Sequence, residues 1–222
     1  MLEAKNLNIS KKGETLVAGL SFVVDNGQMT CVSGSSAATT ALLCSLMGLE
    51  RVKSGFISIE GELLTPGSAQ EFRKDMAYVP ANARMPYATM EETARHLFAL
   101  KANSSKKLTM HALESEMKAL GLQEELLAMP QAQLTPQQEY GLMLALAGAT
   151  QKKIMIVDTP AGGLEQNATQ TIAQYLRTKA NEGAAVIVAA TSDLSDLSDK
   201  SYSSYTSYQS YFSSLSDHQI KL

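Results

Sequence analysis

Seven consecutive residues near the start of the chain have the residue types of an anion-binding turn. They follow an apolar run typical of a β-strand and lead into a segment with helical spacing. These residues are Gly34, Ser35, Ser36, Ala37, Ala38, Thr39 and Thr40. Backbone amides at a helix N-terminus attract anions even where no lysine is present, so this turn could hold a phosphate or another anion. Its side chains supply no positive charge, because no Lys or Arg occurs between Lys12 and Arg51.

Few other residues have side chains that could act in catalysis or ligand binding. Asp158 closes the apolar run of residues 154–157, which places a carboxylate at the end of a predicted strand. Cys31 and Cys44 lie in apolar stretches without the spacing of a metal site. Such cysteines are more often buried structural residues than reactive ones, so we assign them no chemistry.

Apolar periodicity predicts a β-rich opening followed by alternating strands and helices. The predicted strands cover residues 2–9, 15–24, 28–33, 154–158 and 184–190, and the predicted helices cover residues 40–49 and 166–181. Helical spacing from residue 91 to residue 127, with a Ser/Lys-rich connector at 104–107, predicts a helical insertion. Continuous apolar strands between helices are typical of a parallel sheet that is covered on both faces.

The C-terminal part of the chain is rich in serine and tyrosine. Four tyrosines recur at intervals of three, at Tyr202, Tyr205, Tyr208 and Tyr211. We expect a strand at residues 211–215, a turn at 217–218 and a strand at 219–222, with tyrosines on a half-exposed surface. A phosphorylation or docking role for the tyrosines is the less favoured alternative.

Composition and charge narrow the class of protein. The 222 residues fit one large α/β domain, and the chain is 45% hydrophobic and 18% charged with a formal net charge of -3. It is therefore neither disordered nor basic enough to indicate a nucleic-acid partner. The first residues lack a basic segment followed by an apolar stretch, and no run approaches the roughly 20 apolar residues that a membrane span needs. We expect a soluble cytoplasmic protein.

Five segments resemble, in order and approximate spacing, the motifs of the ABC-type ATPases, the nucleotide-binding domains of ABC transporters. The segments are VSGSSAATTALLCSLMGL (32–49, phosphate loop and helix), MAYVPA (76–81, the strand into the Q-loop), LTPQQ (134–138, signature), IMIVDTPAGGLE (154–165, second Walker strand and D-loop) and VIVAATSD (186–193, switch strand). The resemblance implies a P-loop NTPase-like ABC ATPase fold, in which a mostly parallel sheet flanked by helices carries an N-terminal antiparallel β subdomain and a helical insertion. It also implies one domain over residues 1–222, with a helical subdomain inserted at about residues 82–139.

The resemblance assigns the loop from Gly34 to Thr40 to the ATP phosphates, and Thr40 and Asp158 to Mg²⁺. Counting back from Gly48 puts Thr39 at the position of the family's lysine, whereas counting forward from Gly34 leaves the loop one residue short. Under either alignment the lysine is lost, and with it a charge-assisted hydrogen bond worth roughly 1.5–3 kcal/mol. Alanines in the loop also resist the positive φ angles that glycine adopts there. ATP and Mg²⁺ are expected to bind weakly or not at all.

At other motif positions, too, the residues that bind or hydrolyse ATP in the family are replaced. The departures are Ala81 for the Q-loop glutamine, Pro136 and Gln137 for the paired signature glycines, Thr159 for the glutamate that polarises water, and Ser192 for the switch histidine. The aromatic residue that stacks on adenine would be expected near Lys11, but no Tyr, Phe or Trp precedes Phe22. Thr135 and Gln138 instead form a T-x-x-Q capping box with proline at the first helical position. We predict no catalytic residue.

These losses indicate a pseudo-ATPase that keeps its fold. The favoured function is a noncatalytic partner or coupling subunit of an ABC transporter. One alternative is a slow Mg-ATP-dependent ATPase that uses Thr40 and Asp158, and the other is a regulatory or scaffold protein unrelated to transport. The expected partners are a second nucleotide-binding domain, in a homodimer or heterodimer, and a membrane permease subunit. The expected location is the cytoplasm, at the inner face of the membrane where such a partner is present.

Overall fold

The computed structural model describes residues 1–82, 84–103, 108–160, 164–191 and 210–222, and within them two sheets form. The antiparallel sheet has the order β2-β1-β4-β5, and the parallel sheet has the order β6-β7-β8-β3-β9. The strands are β1 (Leu2–Lys11), β2 (Glu14–Val24), β3 (Met29–Gly34), β4 (Ser54–Ile59), β5 (Glu62–Leu63), β6 (Met76–Val79), β7 (Ile154–Asp158), β8 (Ala185–Thr191) and β9 (His218–Lys221). The predicted mostly parallel sheet and the predicted N-terminal antiparallel β subdomain are confirmed.

Helices connect and cover these strands. They are α1 (Ser36–Leu46), α2 (Ala69–Phe72), α3 (Met90–Phe98), α4 (Met110–Ala119), α5 (Pro136–Ala149), α6 (Gln166–Asn181) and α7 (210–215). Short 3₁₀ turns lie at Arg73–Asp75, Lys101–Asn103, Glu124–Leu127 and Gln131–Gln133. No described helix has the length and apolar character needed to cross a membrane.

Both faces of the parallel sheet are buried, which explains its unbroken apolar strands. Ile156 and Ile187 point to the face covered by α1 and the antiparallel sheet. Val157 and Val188, one residue further along each strand, contact the second cluster, formed with α5, α6 and the inserted helices. All four side chains have an exposed fraction of 0%. Because successive side chains alternate between two covered faces, apolar residues are favoured at most positions of these central strands.

Two tight connections in the described backbone have positive φ angles at glycine. Lys12 and Gly13 join β1 to β2 with φ values of 51° and 87°. Two consecutive positive φ angles suit a two-residue hairpin whose twist matches the flanking strands. Gly48 ends the first helical segment with a φ of 66°, and its amide donates to the Ser45 carbonyl.

Two predicted elements were wrong. The first helix begins at Ser36 and not at Thr40, because Ser35 acts as its N-cap and accepts a hydrogen bond of 3.3 Å from the Ala38 amide. Residues 211–215 form part of α7 and not a strand. Helical geometry buries Phe212 completely in the core, an outcome that β propensity alone does not predict. The final predicted strand is confirmed as β9, parallel to β3.

The predicted helical insertion contains α3 and α4, while its connector at 104–107 lies outside the described residues. Partly buried polar contacts connect the insertion to α6. Glu116 on α4 accepts hydrogen bonds from the Tyr175 hydroxyl (2.7 Å) and the Lys179 ammonium (2.8 Å), both on α6. The boundaries of the inserted subdomain, at about residues 82–139, stay a prediction.

Candidate functional site

The candidate site lies at the carboxyl ends of β3 and β7, where α1 begins. Asp158 is the last residue of β7, and Thr40 lies in α1. The Thr40 hydroxyl donates a hydrogen bond of 2.9 Å to Asp158 Oδ2. The fold therefore brings together the two residues that the resemblance assigned to Mg²⁺, although 118 positions separate them in sequence.

The Asp158 carboxylate is largely shielded from solvent. The residue is 3% exposed, and burial raises the pKa of its carboxyl above 3.8, whereas the hydrogen bond from Thr40 acts in the opposite direction. Tyr140 fixes the backbone at this point, because its hydroxyl donates a bond of 3.2 Å to the Asp158 carbonyl. Asp158 is thus fixed in position, and burial disfavours its ionised form.

The chemistry of the Thr40 and Asp158 side chains fits Mg²⁺, because this ion prefers hydroxyl, carboxylate and water oxygens. They would supply two of its oxygen ligands, and binding would replace the hydrogen bond between them. Among the described residues, no group of three or more His, Cys, Asp or Glu side chains forms a metal cluster. The remaining ligands would therefore come from water or from a phosphate.

The junction between β3 and α1 differs from an open phosphate loop. Ser35 alone separates the last residue of β3, Gly34, from the first residue of α1, Ser36. The amides of Ala38 and Thr39 are already used, by Ser35 Oγ (3.3 Å) and the Ser35 carbonyl (2.9 Å). A phosphate loop binds its ligand through backbone amides that are free to surround it. Residues 36–40 are helical here, so this arrangement is reduced to a capped helix N-terminus.

Thr39, at the position of the family's lysine, points into the protein. Its exposed fraction is 0%, and its hydroxyl donates to the backbone carbonyls of Ser35 (3.1 Å) and Ser36 (3.2 Å). A hydroxyl bonded to the preceding turn of its own helix satisfies local backbone groups. Thr39 therefore reaches no ligand from this position.

Gly34 serves close packing between β3 and the last residues of the chain. A Cβ atom at this position would lie 2.8 Å from Leu222 Cβ. The Leu222 amide also donates a bond of 2.7 Å to the Ser33 carbonyl. The absence of a side chain at Gly34 is thus explained by this contact without a phosphate.

Thr159 occupies the position of the water-polarising glutamate, and both of its polar groups bond to β8. Its hydroxyl donates a bond of 2.5 Å to the Ala189 carbonyl, and its amide donates a bond of 3.1 Å to the same atom. The residue is 1% exposed. Thr159 therefore links the end of β7 to β8 and cannot act as a general base.

Neither Tyr78 nor Cys44 was placed near Asp158 by sequence reasoning. Burial and the negative charge of Asp158 both raise the pKa of Tyr78, on β6. Burial is likewise the main cause that raises the pKa of Cys44, with smaller effects from Glu50 and Asp158. The position of Cys44 one helical turn after Thr40 was the available signal. Tyr78 approaches only through the pairing of β6 with β7, which the sequence does not specify.

The second cysteine is structural, in agreement with the sequence. Cys31 is 2% exposed, and burial raises the pKa of its thiol to about 11. A thiol with this pKa stays protonated at neutral pH, so little thiolate is present to act as a nucleophile.

Comparison with known proteins identifies the family. A family model described as "ABC transporter" matches residues 17–162 of the chain. The chain belongs to the ABC transporter family. It is 26% identical over 198 residues to an uncharacterised ABC transporter ATP-binding protein of Haemophilus influenzae, covering 85% of this chain and 73% of that protein.

Other ABC relatives extend beyond the matched region. The chain is 26% identical over 182 residues to an Fe(3+) ions import ATP-binding protein of Rhodococcus jostii, covering 79% of this chain and 51% of the relative. It is 26% identical over 177 residues to an energy-coupling factor transporter ATP-binding protein of Staphylococcus aureus, covering 79% of this chain and 65% of the relative. The chain thus spans between half and two thirds of the length of these two relatives.

Solved structures share the fold of this ABC-family chain. An ATP-binding subunit of an ABC transporter superposes with a TM-score of 0.72 at 23% identity, covering 85% of this chain and 78% of the other. A dimeric ATP-binding cassette in a post-hydrolysis state, bound to ADP and Pi, gives a TM-score of 0.70 at 21% identity, covering 87% and 89%.

The signature segment of this ABC-family chain caps a helix. Thr135 accepts a bond of 3.2 Å from the Gln138 amide, and the Gln138 side chain accepts a bond of 2.9 Å from the Thr135 amide. The predicted capping box is therefore confirmed, with Pro136 at the first turn of α5. Gln137 accepts a bond of 3.5 Å from the Glu165 amide, which links the signature segment to the start of α6.

The remaining ABC motif positions are described only in part. Ala81, at the Q-loop glutamine position, is half-buried just after β6 and has no polar side-chain atom. Ser192 and Asp193 of the switch segment lie outside the described residues, as does the D-loop segment 161–163. Tyr202, Tyr205 and Tyr208 also lie outside them.

Proposed function

We infer that this chain is a noncatalytic nucleotide-binding-domain subunit of an ABC transporter, with weak or absent ATP binding and hydrolysis. Its role is to pair with a second nucleotide-binding domain and to couple that domain to a membrane permease. The closed junction between β3 and α1 carries this proposal. A phosphate there meets a capped helix N-terminus and no lysine, so the charge of ATP is poorly neutralised.

The surroundings of Asp158 support the absence of hydrolysis. Thr159 is bound to the Ala189 carbonyl, and a threonine hydroxyl cannot accept a proton at neutral pH. A general base contributes about 10²–10⁴ in rate, so its loss alone leaves a slow enzyme. The proposal therefore assigns the chemical step to the partner domain.

The region expected to hold adenine carries an ion pair in place of an aromatic platform. Lys11 Nζ lies 2.7 Å from Glu50 Oε1, and this contact raises the pKa of Lys11. Both groups are partly exposed, so the pair adds little to stability. It offers a base no flat surface on which to stack, which supports weak nucleotide binding.

Relatives of known assembly support the partner assignment. A cassette of the same fold forms a dimer in a state bound to ADP and Pi. A relative from Staphylococcus aureus is an ATP-binding protein of an energy-coupling factor transporter. By analogy with these proteins, the chain works as a dimer at the cytoplasmic face of the membrane, held there by the permease. In a heterodimer the second domain supplies the chemical step, whereas a homodimer of this chain would hydrolyse ATP slowly or not at all.

A groove beside the edge strand β6 is the surface we assign to the permease. It encloses about 470 Å³ between β6, α3 and α5. The rings of Tyr87 and His96 stack at 4.0 Å between centroids along this groove. Tyr87 and Leu100 leave 39% and 52% of their surfaces exposed, and large exposed apolar side chains at a groove are typical of a protein contact.

Copurification followed by an ATPase assay tests the proposed function. A tagged chain should bring down a permease and a second nucleotide-binding domain, and Leu100→Glu should release the permease. Asp158→Ala in this chain should leave ATP turnover of the complex unchanged, since the partner supplies the chemistry. Isolation of the chain without any partner would contradict the proposal and favour a scaffold function outside transport.

The contact between Thr40 and Asp158 favours one second candidate, a slow Mg-ATPase. The two residues retain the oxygen ligands that Mg²⁺ requires, already within 2.9 Å of each other. This function predicts measurable turnover by the isolated chain that disappears in Asp158→Ala. The same variant therefore separates the two candidates.

A further inference from the structure

A cavity of about 440 Å³ lies between the C-terminal end of α1 and the β4–β5 hairpin. Apolar side chains form much of its wall, among them Val52, Ile57 and Leu64. Phe56 and Leu63 line it while 39% and 56% of their surfaces remain exposed. Its volume lies within the range of small-molecule sites, about 300–1,000 Å³. It shares no lining residue with the Thr40 and Asp158 pair.

A buried hydroxyl without a partner lines this cavity. Ser45 is 1% exposed, and its Oγ atom has no hydrogen-bond partner within the described parts of the chain. Buried polar side chains in folded proteins almost always have a partner, so an unpaired hydroxyl at a cavity calls for an explanation. A bound molecule that exchanges a hydrogen bond with Ser45 would provide it.

The charges at this cavity favour a ligand with one negative charge. Glu50 and Arg51 both line it. Lys11 neutralises Glu50 at 2.7 Å, whereas Arg51 has no ion-pair partner among the described residues and is exposed. The local balance is one unpaired guanidinium beside an apolar wall. A guanidinium binds a carboxylate through two parallel hydrogen bonds, which matches an amphipathic acid.

We propose that this cavity binds a small amphipathic monocarboxylate. Its carboxylate pairs with Arg51, and one of its oxygens accepts a hydrogen bond from Ser45 Oγ after the Ser45 side chain rotates to face the cavity. Its apolar part lies against Phe56, Leu63 and the neighbouring aliphatic side chains, which covers surface that is now exposed. The site is independent of ATP binding, so it stands or falls separately from the proposed function.

Octanoate is a suitable probe, titrated into the isotope-labelled full chain and followed by two-dimensional NMR. We expect saturable shifts at the cavity residues, with a Kd below about 1 mM. Octanamide, which has the same length and no charge, should bind at least about tenfold more weakly, because the charge-assisted bond to Arg51 is lost. Absence of saturation, shifts at the groove beside β6, or equal affinity for the two molecules would overturn the proposal.

Three variants separate a ligand site from a structural feature. Arg51→Ala should weaken octanoate binding about tenfold or more, whereas Lys53→Ala, which removes a nearby exposed charge that does not line the cavity, should not. Ser45→Ala should weaken binding several-fold and leave the melting temperature of the free protein unchanged or higher, because no bond is lost. A lower melting temperature for Ser45→Ala, or identical binding by Arg51→Ala and the native chain, would contradict the assignment.

Discussion

Replacing Thr40 by valine should expose how the structure holds Asp158. Valine keeps the shape of threonine and removes the donor whose hydroxyl lies 2.9 Å from Asp158 Oδ2. A hydrogen bond to a charged group contributes about 1.5–3 kcal/mol, and Asp158 is 3% exposed, so water replaces the lost donor poorly. We expect the free energy of unfolding at neutral pH to fall by this amount. For a chain of this size that is a fall of about 3–12 °C in the melting temperature.

The contribution of Asp158 to the free energy of unfolding should depend on pH. Burial raises the pKa of Asp158 in the folded chain above 3.8, so the stability that this group contributes is present below that pH and is lost as the pH rises through the folded pKa. Asp158→Asn has no such loss. The stability of Asp158→Asn relative to the native chain should therefore increase from acidic to neutral pH. Thr40→Val removes the bond that lowers the pKa, so it should steepen the loss.

Chemical denaturation of native, Thr40→Val, Asp158→Asn and double-variant chains at several pH values measures both effects. Thr40→Ser, which keeps the donor, is the matched control and should cost less than Thr40→Val. In the Asp158→Asn background the valine substitution should cost less, because no buried charge is left unpaired. The reasoning is refuted if Thr40→Val leaves stability unchanged at neutral pH, or if Asp158→Asn becomes less stable than the native chain as the pH rises.

Three further variants test other parts of the structure. Thr39→Lys should destabilise the chain by more than about 2 kcal/mol without creating ATP affinity, since Thr39 is fully buried. Chemical denaturation measures the stability and calorimetric titration measures the ATP affinity. Tight ATP binding by this variant would contradict the prediction. Lys179→Met should cost about 1–3 kcal/mol by removing the charged partner of the Glu116 carboxylate, which among the described residues keeps only the Tyr175 hydroxyl. Thermal unfolding measures this cost against Lys153→Met at an exposed ion pair, and equal costs would argue against the partly buried contact. Thr135→Ala should cost about 1 kcal/mol and Thr135→Ser much less, and a difference within error would remove the capping box as a contributor.

Local patterns in the sequence predicted the parts of the fold that depend on few neighbours. Residues 154–158 form a strand as predicted, because a short apolar run rich in β-branched residues suits a buried strand. The capping box at Thr135 and Gln138 depends on residues three positions apart, which the sequence displays directly. The covered parallel sheet followed from the continuous apolar runs at residues 154–157 and 184–190.

The two wrongly predicted elements lie where a motif or a local propensity favours one structure and capping or core packing favours another. The resemblance to a phosphate loop extended the turn to Thr40, whereas Ser35 is a good N-cap and the alanines after it are good helix formers. At residues 210–215, Ser and Tyr favour a strand locally, but burial of Phe212 against the core selects a helix. Packing against distant residues decided the second case, and no local pattern reports it.

The sequence identified the residues of the candidate site but not the contacts between them. Thr40 and Asp158 were identified from motif order, and their contact follows from the placement of β3 and β7 in one sheet. The tie between Thr159 and Ala189 and the approach of Tyr78 depend on which strands are neighbours. Strand order is a tertiary property, so these contacts could not be inferred from a single sequence.

Calorimetric titration of the purified chain with ATP, with and without Mg²⁺, tests the central claim most directly. The closed junction at Ser35 and the missing lysine predict no saturable heat up to about millimolar ATP in either condition. Binding in about the micromolar range that requires Mg²⁺ and is lost in Asp158→Ala would contradict the account. ATP would then be a ligand of this chain, and its hydrolysis would need direct assay.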